Sequence, residues 1–428
     1  MRDRPRLLML AQCLPYPPHS GVANRTFNVL RQLAVEFDID LVPFSRINHQ
    51  PDRAARAAAR EALRRMIAYV GEPTPIPNEL SKYRKLWDHL RSLATGRAYT
   101  YYEYDSDEFR DRLHQVTRTR GYDLVHLDSL DLHRWLSELP TVPIACTHHN
   151  LESELLRRYA LGLRPAPIRQ YVLMQVRRLE ALEREITPRL SLNVMVSEAD
   201  ARGLRELAPR AVTKVIPNGT DVGYFQPHSG SHVPGRVAFI GPTYSFPNRD
   251  AVEYLLQDIW PEIRAGASNA TLQLIGRHSP ADHARYAAVP AVQPLGHIPD
   301  IRPPVGEAEC CVVPIRIGGG TRLKILDAWA MGKAIVSTSI GCEGLEARDG
   351  ENILIRDTAE GFAAAVVQVL RDPELRARLE QSARRTALET YAWDVVGRKL
   401  RAAYNELAGR PSASARMATG SIVSAASA

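Results

Sequence analysis

The sequence predicts an α/β chain built of two Rossmann-like domains in tandem, and three observations carry that prediction. Short apolar runs alternate with segments of helical period along most of the length. The alternation restarts after a stretch rich in Pro, Gly, Ser and His near the middle, residues 226–235. The 428 residues exceed what one hydrophobic core usually serves. Strands alternating with helices imply parallel sheets joined by right-handed crossovers.

In the front half, strands are predicted at 7–14, 39–44, 124–127, 144–147 and 193–196. Helices are predicted at 22–35 and 132–139, with a third opening near Ser197. Arg2, Arg4 and Arg6 before the first apolar run imitate a secretory leader. Pro15, Pro17 and Pro18 follow it in place of a small-x-small cleavage site, so the run reads as a buried strand. The back half repeats the rhythm, with strands at 237–240, 271–275, 310–313 and 335–337 and helices at 251–263, 324–331 and 361–370. Runs this short suit strands covered on both faces. The predicted divisions are a front domain, 1–210, a back domain, 211–385, a final helical segment, 386–410, and a Ser/Ala-rich tail, 411–428, expected to be disordered. A tandem of this kind leaves a cleft at the carboxyl ends of its strands, where such sheets bind ligands.

Composition narrows the chemistry. No apolar run reaches transmembrane length. Cys13, Cys146, Cys310, Cys311 and Cys342 form no CxxC pair or Cys/His cluster. Neither a metal site nor a disulfide framework is therefore expected, and a reducing cytoplasmic location fits. Of the net charge of +7, residues 1–210 carry +6, with 32 Lys+Arg against 26 Asp+Glu. The excess concentrates in 51–97 and points to anionic partners. There Arg53, Arg56, Arg60 and Arg64 recur at helical spacing, with Lys82, Arg84, Lys85 and Trp87 nearby. The expectation is a peripheral contact with an anionic membrane, set against a solvated basic helix. No nucleic-acid recognition motif accompanies the charge.

Five stretches carry the candidate chemistry. Residues 15–25, PYPPHSGVANR, follow the first strand and open a helix. Gly21 would let backbone amides approach an anion and Arg25 would fork onto it, against an ordinary strand–helix turn. Residues 147–152, THHNLE, begin where a strand ends, so His148, His149, Asn150 and Glu152 are candidates on the acceptor side. One His of the pair would be an acid/base or orienting group and the other a structural one. Residues 216–221, IPNGTD, read as a turn that shapes the domain crossing and contributes little chemistry. Residues 241–251, GPTYSFPNRDA, suggest a βα turn at Gly241 whose helix is capped by Asn248 or Asp250. Residues 314–328, PIRIGGGTRLKILDA, are the most specific. Gly318, Gly319 and Gly320 would admit a diphosphate to the backbone, and Thr321 would cap or bond an oxygen. Arg322 and Lys324 would offset the negative charge of a leaving group, and Asp327 would accept ribose hydroxyls. The Walker A spacing is absent.

In this order the five stretches resemble family-4 retaining glycosyltransferases of the GT-B fold, in which two facing Rossmann-like domains bound a cleft. The resemblance runs from about residue 7 to about 408. Its strongest carriers are 216–221 with Phe225 and Pro227, GGGTRLK at 318–324, AWAMGKAIVST at 328–338, CEGL at 342–345 and YAWD at 391–394. HNLES at 149–153, the helix at 179–185 and VSE at 196–198 resemble bacterial exopolysaccharide transferases, including those of exosortase loci. The resemblance implies a nucleotide-diphosphate-sugar donor held by Gly241, Asn248, Gly318–Thr321, Arg322, Lys324 and Asp327. It implies an acceptor side at Gly21, Arg25 and His149, catalysis by His149, Arg322 and Lys324, no metal or other cofactor, and a last helix near Trp393 that crosses back to the front domain. The acceptor would be a saccharide, free or lipid-linked. Where the family has two Glu separated by seven residues, this chain has Gly319 and Asp327, and no basic pair lies in 241–247. A GT-B epimerase acting without an acceptor and a non-catalytic nucleotide-sugar-binding scaffold remain as alternatives.

Overall fold

The apolar run at 7–14 is a strand only as far as Ala11, giving β1, Arg6–Ala11. Cys13 and Leu14 stay fully buried, but the backbone turns away before the prolines, whose missing N–H groups cannot join a ladder. The computed structural model describes residues 4–18, 20–163 and 165–409, so the tail expectation at 411–428 lies outside the described residues. The chain divides into two units. One runs to Ile216 and resumes at Val396; the other is Pro217–Val395.

The first unit holds β1, β2 (Asp38–Ser45), β3 (Tyr69–Val70), β4 (Thr74–Pro75), β5 (Leu124–Leu127), β6 (Ile144–His148), β7 (Leu192–Met195) and β8 (Thr213–Val215). All pairings are parallel, in the order β3-β2-β1-β5-β6-β7-β8, with β4 also on β2. β1 runs Leu8 beside Asp40 of β2 and Val125 of β5. Its residues Leu7–Ala11 are fully buried, as a central strand between two helical layers requires. Leu8, Leu10, Val42, Phe44, Phe109, Leu113, Val125 and Trp135 form one core, with Phe44 stacked on Phe109 at 4.1 Å.

The second unit holds β9 (Arg236–Ile240), β10 (Thr271–Ile275), β11 (Val292–Gly296), β12 (Cys310–Val313), β13 (Ile335–Ser337) and β14 (Leu354–Ile355). These are parallel in the order β11-β10-β9-β12-β13-β14. That is the doubly wound Rossmann order, and the first unit extends the same order by one strand. The predicted α/β class with two Rossmann-like domains is therefore what the chain adopts. In each sheet the connection reverses direction at one place, between β1 and β5 and between β9 and β12. The loops leaving those strands flank the ligand position of such sheets.

Two helices differ from expectation. The segment predicted as one helix at 251–263 is a helix Phe246–Tyr254, a π turn Leu255–Ile259 and a helix Trp260–Gly266. Pro261 has no N–H to donate, and its ring would meet the carbonyl four residues back; the wider π turn accommodates both. The segment at 132–139 is a 3-10 run, Leu130–Glu138, packing Leu132 and Trp135 inward. The final helix, Trp393–Leu407, starts in the second unit and belongs to the first from Val396 onward.

Candidate active site

In the second unit, the loops after β9 and β12 meet at the reversal of strand order. After β12 the backbone takes positive φ at Gly318 (117°) and Gly320 (79°), conformations that favour glycine, and then enters the helix Leu323–Ala330. The Gly319 carbonyl accepts from Arg322 Nη1 at 2.8 Å, which folds the guanidinium back over the glycine loop. No side chain caps this helix, so Thr321 does not act as its cap; the N-cap position is Arg322. The Thr321 hydroxyl is buried without a hydrogen-bond partner among the described residues. A helix start with uncapped amides beside a glycine loop is a place where anions bind.

Lys324 Nζ donates to Asn248 Oδ1 at 2.8 Å and lies 4.8 Å from the centre of the Phe239 ring. Burial, and then Arg322 nearby, pull the Lys324 pKa down to about 7. Asn248 Nδ2 in turn donates to the Pro242 carbonyl at 3.0 Å. The expectation that Asn248 or Asp250 caps its helix is thus corrected. Ser245 holds the cap position without a side-chain bond, and Asn248, inside the helix, braces Lys324 instead. Asp250 pairs with Arg316 at 2.8 Å. A Cβ on Gly241 would fall 2.7 Å from Lys324 Nζ, so that glycine leaves the ammonium its room. Gly276, just after β10, has φ of 146°, and a Cβ there would lie 2.5 Å from the Gly241 carbonyl group.

Asp327 accepts from Thr220 Oγ1 at 2.8 Å, and its pKa rises to about 7, chiefly by burial. The segment 216–221, read as a turn, also supplies through Thr220 the hydroxyl that holds Asp327. The segment is pinned by Thr220 N–H to the Tyr391 carbonyl (2.8 Å) and by Trp393 N–H to the Thr220 carbonyl (3.2 Å). Gly219 lies against the Trp393 ring, where a Cβ would stand 2.7 Å away. The two separated sequence stretches, 216–221 and 391–394, therefore act as one support that sets Asp327.

In the first unit, the helix Gly21–Leu33 follows β1, with Ser20 as its N-cap accepting from Ala23 N–H. A Cβ on Gly21 would meet nothing within 4 Å, so packing does not require glycine there. Arg25 is buried, not poised on a surface: Nη2 donates to the Ile216 carbonyl at 2.8 Å, and burial pulls its pKa to about 10, which leaves it charged at neutral pH. Beside it, Thr26 Oγ1 lies 2.9 and 2.8 Å from the two carboxylate oxygens of Asp128, the fully buried residue that follows β5.

The two histidines separate clearly. His148 is buried and its Nε2 meets Asn193 Oδ1 at 2.9 Å. Asn193 spends its amide N–H groups on the Thr187 and Val212 carbonyls, so its oxygen accepts and His148 Nε2 donates. Burial lowers the His148 pKa to about 4, making it a neutral structural residue. His149 Nε2 lies 3.8 Å from Asp128 Oδ1 and has no hydrogen-bond partner among the described residues. Asn150 is half-buried and hydrogen-bonds Glu152, whose pKa is raised well above the usual carboxylate range by burial and then by Asp131 and Glu183.

The structure thus gathers Thr26, Asp128 and His149 in one unit and Gly241, Asn248, Lys324, Arg322 and the glycine loop in the other. Sequence reasoning missed Thr26, Asp128, Thr220 and Gly276. Asp128 and Gly276 each stand directly after a predicted strand, which was the available signal; Thr26 and Thr220 had none. Among the described residues no group of three or more His, Cys, Asp or Glu is placed to hold a metal ion, and no helix is long and apolar enough to cross a membrane.

Residues 19–224 match the family model described as Glycosyltransferase Family 4, and residues 234–372 the one described as Glycosyl transferases group 1. A lipopolysaccharide core biosynthesis glycosyltransferase, LpsE of Rhizobium meliloti, is 38% identical over 74 residues, 17% of this chain and 22% of that protein. The chain thus spans about a fifth of that relative. Glycogen synthase of Mycobacterium tuberculosis is 25% identical over 311 residues, 67% of this chain and 69% of its own. The solved structure of Anabaena Alr3699/HepE in complex with UDP superposes with a TM-score of 0.63 at 13% identity, covering 94% of this chain and 100% of that one.

Proposed function

Given that this chain is a glycosyltransferase of the family 4 and group 1 type, we propose that it moves a sugar from a nucleotide diphosphate to a saccharide acceptor with retention of configuration and without a metal ion. The observation that carries this reading is the Lys324 ammonium, held by Asn248 beside the Gly318–Gly320 loop and the uncapped start of the following helix. Such a place suits the diphosphate of a donor. A phosphate there would restore to Lys324 the charge that burial opposes. Arg322 and Lys324 then stabilise the departing diphosphate as the glycosidic bond breaks. Asp327, set by Thr220, accepts the ribose hydroxyls. The acceptor hydroxyl attacks from the face the diphosphate leaves, and a leaving phosphate oxygen takes its proton.

In the first unit we assign the acceptor to His149, whose Nε2 lies 3.8 Å from Asp128 Oδ1. That a structural relative was solved with UDP makes uridine the first base to try. The acceptor belongs to cell-surface or exopolysaccharide synthesis and is lipid-linked, which a cytoplasmic enzyme reaches at the membrane face through residues 51–97.

The test is a thermal-shift screen of UDP, GDP, ADP and their sugars on wild type and Lys324→Ala. A ligand of the folded state raises the melting temperature by mass action. Stabilisation by one nucleotide family, lost in the variant, with sugar transfer only when an acceptor is present, is the expected result. A sugar product formed without acceptor would make the chain an epimerase. No shift with any nucleotide would leave it a scaffold.

A further inference from the structure

The helix Lys82–Thr95 is amphipathic in the reverse sense: its polar side faces the protein and its apolar side faces out. Asp88 and Ser92 are fully buried. Asp88 accepts from Arg84 Nε at 2.9 Å, and Arg91 pairs with Asp105 at 3.1 Å. Ser92 takes bonds from Gln175 (2.9 Å) and Arg178 (2.7 Å, at its carbonyl), both on the neighbouring helix Ala166–Ile186. His89 stacks on Tyr99 at 4.1 Å and meets the Tyr171 hydroxyl at 2.6 Å. These contacts fix the rotation of the helix about its axis.

The outward side then carries Tyr83 (87% exposed), Leu86 (59%), Trp87 (58%), Leu90 and Leu93. At 100° per residue these five fall within an arc of about 120°. Leu80 before the helix and Ile168, one turn ahead of Tyr171, add further exposed apolar side chains. Lys82 and Lys85 are exposed on the same helix, as is Arg97 just beyond it, while its single carboxylate, Asp88, is buried.

We propose that the Tyr83–Leu93 stripe inserts into the interface of an anionic lipid bilayer, with Lys82, Lys85 and Arg97 on the headgroups. Charge complementarity selects this occupant: a stripe of Leu, Tyr and Trp on a helix whose exposed charges are cationic matches an anionic headgroup layer over acyl chains. Of the two basic stretches the sequence pointed to, the helix Arg53–Arg64 is partly committed elsewhere, with Arg60 paired to Glu72 and Arg56 Nη1 donating to the Gln50 carbonyl. The proposal rests on the lipid-linked acceptor reading for its purpose, but lipid binding is measured without any transfer.

The full chain is mixed with vesicles of phosphatidylcholine alone, or with equal phosphatidylglycerol, some carrying brominated acyl chains. Among the five tryptophans only Trp87 is exposed, so quenching by bromine reports its insertion. The expected result is quenching and flotation with anionic vesicles, lost quenching in Trp87→Phe, and a ~10-fold or greater drop in partition for Leu86→Ser/Leu90→Ser. Lys82→Ala/Lys85→Ala should remove the preference for anionic lipid. An unchanged melting temperature and unchanged nucleotide stabilisation show that the variants are folded and keep the donor test separate. Three results would overturn the proposal: no flotation, flotation indifferent to Leu86→Ser/Leu90→Ser, or a concentration-dependent dimer dissolved by that pair, which would assign the stripe to a second copy of the chain.

Discussion

Asn248 and Lys324 meet across the point where strand order reverses in the second sheet, the one from the helix after β9 and the other from the helix after β12, 2.8 Å apart. Thr26 and Asp128 meet in the same way across the reversal in the first sheet, at 2.8 Å. In each sheet a short side-chain contact thus spans the switch point.

The Lys324 contact predicts a pH signature. Its folded pKa, about 7, lies below the ordinary 10.5, so between these values the unfolded chain binds more protons than the folded one. Stability should therefore rise with pH from about 7 to 10.5, by up to ~1.4 kcal/mol per pH unit for one proton. Lys324→Met should flatten that rise and be more stable than wild type at neutral pH without nucleotide. Urea midpoints from pH 6.5 upward check it, and parallel profiles would contradict the buried lysine.

Nucleotide binding should take up a proton above pH 7, because a phosphate raises the Lys324 pKa again. Calorimetry in two buffers of different ionisation enthalpy reads this directly. Affinity should weaken as pH climbs beyond about 7, and Lys324→Met should lose both effects.

Thr220→Val removes the donor to Asp327 while keeping the shape of the side chain. The cost to stability should be ~1–2 kcal/mol. The Asp327 pKa, already raised, should rise further, and the donor KM should increase more than kcat falls. Equal donor kinetics in the variant would separate Asp327 from the donor.

His148 and His149 should respond differently. His148→Phe breaks the buried bond to Asn193 and should lower the melting temperature, at a cost of ~1–3 kcal/mol. His149→Asn should leave the melting temperature near wild type and reduce kcat. Asp128→Asn should follow His149 in kcat while leaving nucleotide stabilisation intact, since both residues belong to the first unit.

Gly276→Ala places a methyl 2.5 Å from the Gly241 carbonyl group, a backbone group that cannot rotate away. The loops after β9 and β10 must separate, and a loss of ~1–3 kcal/mol should come with weakened nucleotide binding. A variant with wild-type stability would show that these loops yield more easily than their contact suggests.

Periodicity and punctuation settled much of the architecture from the sequence. The strands Thr271–Ile275, Cys310–Val313 and Ile335–Ser337 lie where their apolar runs predict, because a strand buried on both faces has no polar alternation to blur its ends. The short strand Leu354–Ile355 and the broken helix around Pro261 were not legible, since their form depends on neighbours rather than on period.

The glycine loop and its Arg322 and Lys324 could be read locally, because anion-binding geometry is written in adjacent residues. Pairings between distant residues could not. That Asn248 braces Lys324, Thr220 sets Asp327, Thr26 meets Asp128, and the helix Lys82–Thr95 turns its leucines outward follows from which strands neighbour one another and how helices rotate on their partners. Those relations join residues 76 to 107 positions apart, and a linear pattern has no term for them.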